Sequence, residues 1–136
     1  MTSVVLDASV VLKWFALRKE RGSKQARAIR TSYEEGQLRV VAPPLLVLEL
    51  LNVAGRRWGW DEGQLRALAT AVEELGFEFA VPEWPQVASW IARGLTAYDA
   101  TYVALAERHR LQLITDDSTI AAIAPDIAVP LVAARR

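Results

Sequence analysis

Ser3-Val4-Val5-Leu6-Asp7-Ala8-Ser9-Val10-Val11-Leu12-Lys13-Trp14-Phe15 changes character at its aspartate. Ser3 to Leu6 is a short β-branched run of the kind a fully buried strand shows, and Ser9 then opens a short helix through about Phe15. A strand that stops at one acid and passes straight into a helix begins an α/β chain, and the rest of the sequence repeats the alternation. A second helix is expected over Arg21 to Glu35, ended by Gly36, with strand two at Leu38 to Ala42. Pro43 and Pro44 turn into a long helix running toward Trp58, with Pro44 in its first turn. Asp61 caps a helix whose Leu65, Leu68, Val72 and Leu75 follow the 3.6 period until Gly76. Phe77 to Val81 reads as strand three, Trp84 to Arg93 as a helix, and Thr96 to about His109 as another. Leu111 to Thr115 is strand four, Ser118 to Ala124 a short helix, and Ala128 to Val132 an edge strand that tolerates Pro130. The expectation is a three-layer α/β fold, one domain over residues 1–136, with a parallel sheet of about five strands flanked by helices. Right-handed crossovers send the strand C-termini to one edge, where open sheets of this kind bind ligands.

Composition removes several classes of function. The 136 residues are 52% hydrophobic, with 16 Lys and Arg balancing 16 Asp and Glu. Such a chain buries roughly 68% of its unfolded surface and needs neither disulfides nor a structural metal. With no Cys and the single His109, thiolate zinc sites and the multi-histidine zinc sites of hydrolases are excluded. Any bound ion must be held by oxygen. The longest apolar run, Val40 to Leu48, contains two prolines and falls far short of the roughly 20 residues a membrane span needs. No signal-peptide core precedes Asp7, so a cytoplasmic location is expected.

Charge is unevenly spread. Lys13 to Arg30 carries seven cations against Glu20, and Asp61 to Glu83 carries six acids against Arg66. Both stretches read first as solvated faces; the basic one is also compatible with a polyanion partner.

The acids fall at telling places. Asp7 ends strand one, Asp116 and Asp117 end strand four, and Asp99 lies in the first turn of the helix before it. Glu49 lies early in the helix after strand two, among Leu45, Leu46, Val47, Leu48, Leu50 and Leu51, with Asn52 three residues on. Taken singly, Asp7 and Asp117 read as helix caps and Asp99 as a first-turn acid in a T-x-x-D pattern with Thr96. Taken together they read differently. Two carboxylates about 5 Å apart repel by about 3 kcal/mol at an effective dielectric of ~20, so several in one cleft raise their pKa values or draw in a cation. No Lys follows Lys24, and the natural counter-charge for an all-oxygen site is Mg²⁺ or Mn²⁺. Such an ion activates water and neutralises phosphate, which favours phosphodiester hydrolysis.

Related layouts fail on residues. Haloacid-dehalogenase-type phosphatases need D-x-D after strand one, and this chain offers Asp7-Ala8-Ser9. Receiver domains need a late Lys, and dinucleotide and P-loop folds need glycine-rich loops that are absent. Four segments instead match a known family in order and spacing: Val4-Val5-Leu6-Asp7-Ala8-Ser9-Val10-Val11-Leu12-Lys13-Trp14; Pro44 with Glu49-Leu50-Leu51-Asn52; Tyr98-Asp99-Ala100-Thr101-Tyr102-Val103-Ala104-Leu105-Ala106; and Leu113-Ile114-Thr115-Asp116-Asp117. Through them the chain resembles the PIN domains, and within those the VapC-type toxins of prokaryotic toxin-antitoxin pairs, over nearly its whole length.

The resemblance implies a Mg²⁺- or Mn²⁺-dependent ribonuclease with Asp7, Glu49, Asp99 and Asp117 as its acids, leaving 5′-phosphate and 3′-hydroxyl ends. Asp7, Asp99 and Asp117 are the implied metal ligands. Ser9, Asn52 and Thr115 match positions that orient acids or ligands. The family's T-x-D spacing falls on Asp117, with Asp116 between; which of the two faces inward the residues leave open. A homodimer and an antitoxin that covers the cleft are also implied, with Trp58, Trp60, Trp84 and Trp90 as candidate interface anchors. RNA is the expected substrate, steered by the basic segment together with Arg56 and Arg57. The alternatives are a PIN-fold module that binds RNA or protein without cutting, and a metal-dependent nuclease acting on DNA.

Overall fold

Three consecutive buried residues, Val4, Val5 and Leu6, leave β1 (Thr2–Leu6) no solvent-facing side, so this strand has to lie inside a sheet covered on both faces. A computed structural model, which describes residues 1–134, places it there. The strands run in the order β3-β2-β1-β4-β5, every pair parallel. The remaining strands are β2 (Leu38–Ala42), β3 (Glu78–Phe79), β4 (Gln112–Thr115) and β5 (Ala128–Pro130). The connecting helices are α1 (Ala8–Phe15), α2 (Ser23–Glu34), α3 (Leu45–Arg56), α4 (Glu62–Glu74), α5 (Trp84–Ala92), α6 (Ala97–His109) and α7 (Ser118–Ile123). The α/β architecture expected from the alternation, a five-stranded parallel sheet flanked by helices, is the one that forms.

Chain direction away from β1 reverses between β1 and β4, whose register pairs Val4 with Gln112 and Leu6 with Ile114. The residues that follow these two strands, Asp7 and Asp116-Asp117, therefore emerge side by side at the crevice where such sheets bind ligands. Helix α6 packs on both strands, and α1 packs against β4, α2 and α3. The core is continuous, from Leu38 and Val40 through Leu6 and Ile114 to Tyr102 and Leu105.

Element ends depart from the sequence expectation where a partner runs out. Strand three was expected over Phe77 to Val81, yet its neighbour β2 ends at Ala42, before two prolines, so pairing stops after Phe79 and one further bond from the Ala80 N–H to the Ala42 carbonyl. Phe77 is buried as part of the core rather than laddered. Strand five likewise stops at Pro130, opposite the last residue of β4, and Leu131–Ala133 turn as a 3₁₀ helix. Helix α2 begins at Ser23 because Gly22 takes a φ of 87° and lies against Leu131, where a Cβ would meet a methyl carbon at 2.9 Å. Pro44 stands at the N-cap of α3 instead of inside its first turn. No helix among the described residues is long and apolar enough to cross a membrane.

Candidate active site

Asp7 occupies the N-cap position of α1 but makes no capping hydrogen bond; its carboxylate is turned instead toward the β4 end. Ser9 Oγ donates to Asp7 Oδ1 at 2.5 Å, and the Thr115 hydroxyl donates to Oδ2. Only 3% of Asp7 is exposed, and this burial pushes its carboxyl up to about 6. The two hydroxyls and the nearby Val10 N–H favour the charged form, while the negative charge of Asp99 adds to the rise. Two side-chain hydroxyls, one from each side of the crevice, therefore hold Asp7 more firmly than its place at the start of α1 alone requires.

The same two hydroxyls tie down the other side of the crevice. Ser9 Oγ accepts from the Asp116 N–H at 2.8 Å, and Thr115 Oγ1 accepts from the Asp117 N–H at 3.0 Å. The Asp117 carboxylate does cap its helix, with Oδ1 accepting from the Thr119 and Ile120 N–H groups at 2.8 and 3.1 Å. Capping and an effect on its neighbours coexist, because the charge of Asp117 raises the pKa of Asp99.

Asp99 follows the T-x-x-D pattern: Thr96 caps α6 by accepting from the Asp99 N–H at 3.1 Å. Its carboxyl is held above the usual range, first by desolvation and then by Asp117, with Thr96 opposing. Glu49, half-buried on α3, is raised by burial and by the charge of Asp99, while the Tyr102 hydroxyl, donating to Glu49 Oε1 at 2.6 Å, lowers it. Asp7 with Asp99, Glu49 with Asp99, and Asp99 with Asp117 thus form one electrostatically linked set, with Asp99 at its centre.

Two contributors were missed or misread from sequence. Tyr102 is 1% exposed, and its hydroxyl is pushed strongly upward by burial and then by Glu49, so it remains a proton donor to that carboxylate. A phenol one turn beyond Asp99 on an apolar helix face was its available signal. Lys13, counted with the basic stretch, has a side chain only 7% exposed and lies 3.1 Å from Asp116 Oδ2 and 3.2 Å from Glu20 Oε1. Asn52 is exposed, beside Leu48, Leu51 and Trp60 along a shallow groove of about 400 Å³. A pocket of about 390 Å³ opens next to Asp117, with Arg21, Thr115, Asp116, Ser118 and Pro130 on its walls.

Among the described residues no group of three or more acidic, His or Cys side chains has the geometry of a ready metal cage. The donor chemistry nonetheless fits a hard cation. It is all oxygen, its members repel one another, and Lys13 is committed to Asp116 and Glu20. Mg²⁺ keeps several waters and binds through one or two carboxylates more often than through a protein cage.

A family model described as the PIN domain matches residues 4–125. No curated protein matches the chain. Among solved structures the chain is similar to PAE2754 from Pyrobaculum aerophilum, at 21% identity over 96% of this chain and 90% of that one, with a TM-score of 0.67. FitAB bound to an IR36 DNA fragment aligns at 17% identity over 98% of both chains, with a TM-score of 0.65. A toxin-antitoxin complex from Klebsiella pneumoniae aligns at 22% identity over 94% and 97%, with a TM-score of 0.55.

Proposed function

The chain belongs to the PIN-domain family, and on that premise we propose that it is a divalent-metal-dependent endoribonuclease, the toxin of a toxin-antitoxin pair. The whole stretch 1–136 acts as one nuclease domain in the cytoplasm. The observation that carries the reading is the linked set of carboxylates, three of which are held above their usual pKa range. Evolutionary noise does not require four acids from four separate segments to burden one another; a bound cation gives that arrangement a use.

In this reading Asp7, Asp99 and Asp117 hold Mg²⁺ or Mn²⁺, directly or through water. Such an ion supplies, when bound, an acidified water and a counter-charge for the phosphate. Ser9 and Thr115 fix both oxygens of Asp7, so its orientation does not depend on the ion. Glu49, steadied by Tyr102, orients a water for in-line attack on phosphorus and is suited to take up its proton by its raised pKa. Arg21 at the mouth of the pocket beside Asp117, with Arg18, Arg56 and Arg57 on neighbouring grooves, steers the RNA backbone.

The partners in this reading are an antitoxin and a second copy of the chain. Exposed Leu17 and Leu48 flank grooves that share Trp60, an apolar surface suited to an antitoxin segment. Of the four tryptophans considered as anchors, Trp84 is 65% exposed and free for an interface, Trp58 and Trp60 pack on each other at 5.2 Å, and Trp90 is buried. Incubation with labelled RNA and labelled DNA, each with and without EDTA, tests the proposal. RNA should be cut only where Mg²⁺ or Mn²⁺ is available; cleavage indifferent to EDTA, or confined to DNA, rejects it.

A further inference from the structure

The one lysine on α1 is placed where a steering cation has no use. Its side chain is 7% exposed, its ammonium lies 3.1 Å from Asp116 Oδ2, and Glu20 Oε1 closes the outer side at 3.2 Å. Asp116 is held a second time, by its N–H on Ser9 Oγ at 2.8 Å, and Ser9 in turn donates to Asp7. Lys13 and Ser9 lie four residues apart on the same helix face, so α1 grips one residue of the β4–α7 turn at both backbone and carboxylate. That residue separates Thr115, which holds Asp7, from Asp117.

We infer that Lys13 is a positioning residue: by pinning the Asp116 carboxylate to α1 it keeps that acid out of the carboxylate set and fixes the turn so that Asp117 is the acid facing the site. The inference rests on the nuclease reading for its catalytic consequence and on geometry alone for the clamp. A phosphate-binding lysine has to present its ammonium to solvent, and this one is enclosed by two acids. Released from Lys13, Asp116 is free to swing beside Asp117 and add a further negative charge where Asp99 is already burdened.

A double-mutant cycle on the full chain decides it. Lys13→Met should lower kcat on RNA about tenfold, as loss of a residue that orients ligands does, with KM within about twofold. In the metal-free protein the Asp116 and Asp117 N–H groups should exchange with solvent about tenfold faster, followed by NMR. The same change in an Asp116→Asn background, where no carboxylate is left orphaned, should alter kcat and exchange by less than about twofold. If Lys13→Met instead raises KM and flattens the salt dependence with kcat and exchange intact, Lys13 touches RNA and the inference fails. Equal losses in both backgrounds also overturn it. Should the single variant not fold, Asp116→Asn against the double variant carries the comparison: equal exchange and kcat support the clamp, unequal values refute it. A wild-type protein that cuts no RNA defeats the nuclease reading, whereas the exchange measurements still judge the clamp.

Discussion

The two ends of the parallel sheet treat charge in opposite ways. At the end where the strands begin, a cavity of about 490 Å³ is bordered by Met1, Tyr33, Leu38, Arg39, Leu75 and Glu78. Glu34 and Glu74 also line it: Arg39 Nη2 lies 2.5 Å from Glu78 Oε2 with both side chains more than half exposed, Glu34 meets Arg30 at 3.5 Å, and Glu74 is exposed. At the end where the strands finish, the pocket beside Asp117 is smaller, about 390 Å³, and three acids outside its lining but at the same end, Asp7, Glu49 and Asp99, are all held above their usual pKa range. The nearby ammonium is absorbed by Asp116 and Glu20. The larger hollow thus carries paired or solvent-exposed charge, whereas the acids gathered where the strands finish burden Asp99 and Asp7 with like charge. Unrelieved charge, rather than volume, marks the end where the strands finish as the candidate site.

Neutralising the most deeply buried acid gives the largest expected effect. Asp7→Asn should reduce RNA cleavage by at least about a thousandfold, ~4 kcal/mol of activation free energy, without unfolding the protein. The native state keeps the Asp7 proton up to about pH 6, whereas the unfolded chain releases it near the ordinary carboxyl value of 3.8. Between those values the folded state binds more protons, so metal-free stability should fall as pH rises from about 4 to 7, by about 3 kcal/mol for this group. Glu49 and Asp99, also raised, contribute with the same sign. Asp7→Asn should flatten this decline and raise the metal-free Tm at pH 7.5 by about 8 °C. Denaturation curves across pH check it; a variant that is less stable than wild type at pH 7.5 removes the contrast between the two ends.

Next in size is the response to metal. Mn²⁺ at a hundred times its Kd should stabilise the protein by about 2.7 kcal/mol, about 8 °C in Tm for a chain of this size. EDTA should reverse the gain, and Asp7→Asn or Asp99→Asn should abolish most of it. A flat Mn²⁺ titration in the wild-type protein leaves the acids as strain without purpose. Smaller again is Tyr102→Phe, which deletes the donor on Glu49. It should lower kcat about tenfold, cost about 1–2 kcal/mol of stability, and move the acidic limb of the pH-rate profile to higher pH. That direction follows because the lost hydrogen bond had been lowering the Glu49 pKa. A limb that moves to lower pH sets Tyr102 apart from Glu49's ionisation.

Local chemistry makes much of the frame legible in the sequence. Strand β2 is found at the expected Leu38–Ala42 because Gly36 and Pro43 bracket it, and the Asp61 capping box is complete through Gln64. Strand β3 was read too long because a strand's length is decided by its neighbour, and the sequence around Phe77 says nothing of where β2 stops. The site splits along the same line. The positions of Asp7, Asp99 and Asp117 follow from strand and helix ends, but the bond from Tyr102 to Glu49 spans 53 positions and that from Thr115 to Asp7 spans 108. The enclosure of Lys13 likewise exists only once residue 116 has been carried back beside residue 13. Asn52, three residues after Glu49 on α3, is exposed where Glu49 is half-buried.

The smallest expected effect lies at the opposite end and is informative for being small. Arg39→Gln breaks the pair with Glu78, whose partners are 56% and 54% exposed at the side chain. Exposed pairs of this kind contribute roughly 0–1 kcal/mol, since water and salt screen them. The loss should therefore appear as a Tm change of no more than about 3 °C, shrinking further at high salt, and the cleavage rate should stay within about twofold of wild type. Arg39 and Glu78 stand on neighbouring strands, β2 and β3, remote in topology from the β1–β4 crevice. A substantial drop in kcat from Arg39→Gln, with the Tm preserved, means that the two ends are coupled through the sheet. The Arg39–Glu78 pair beside the larger cavity is then part of the working site rather than its contrast.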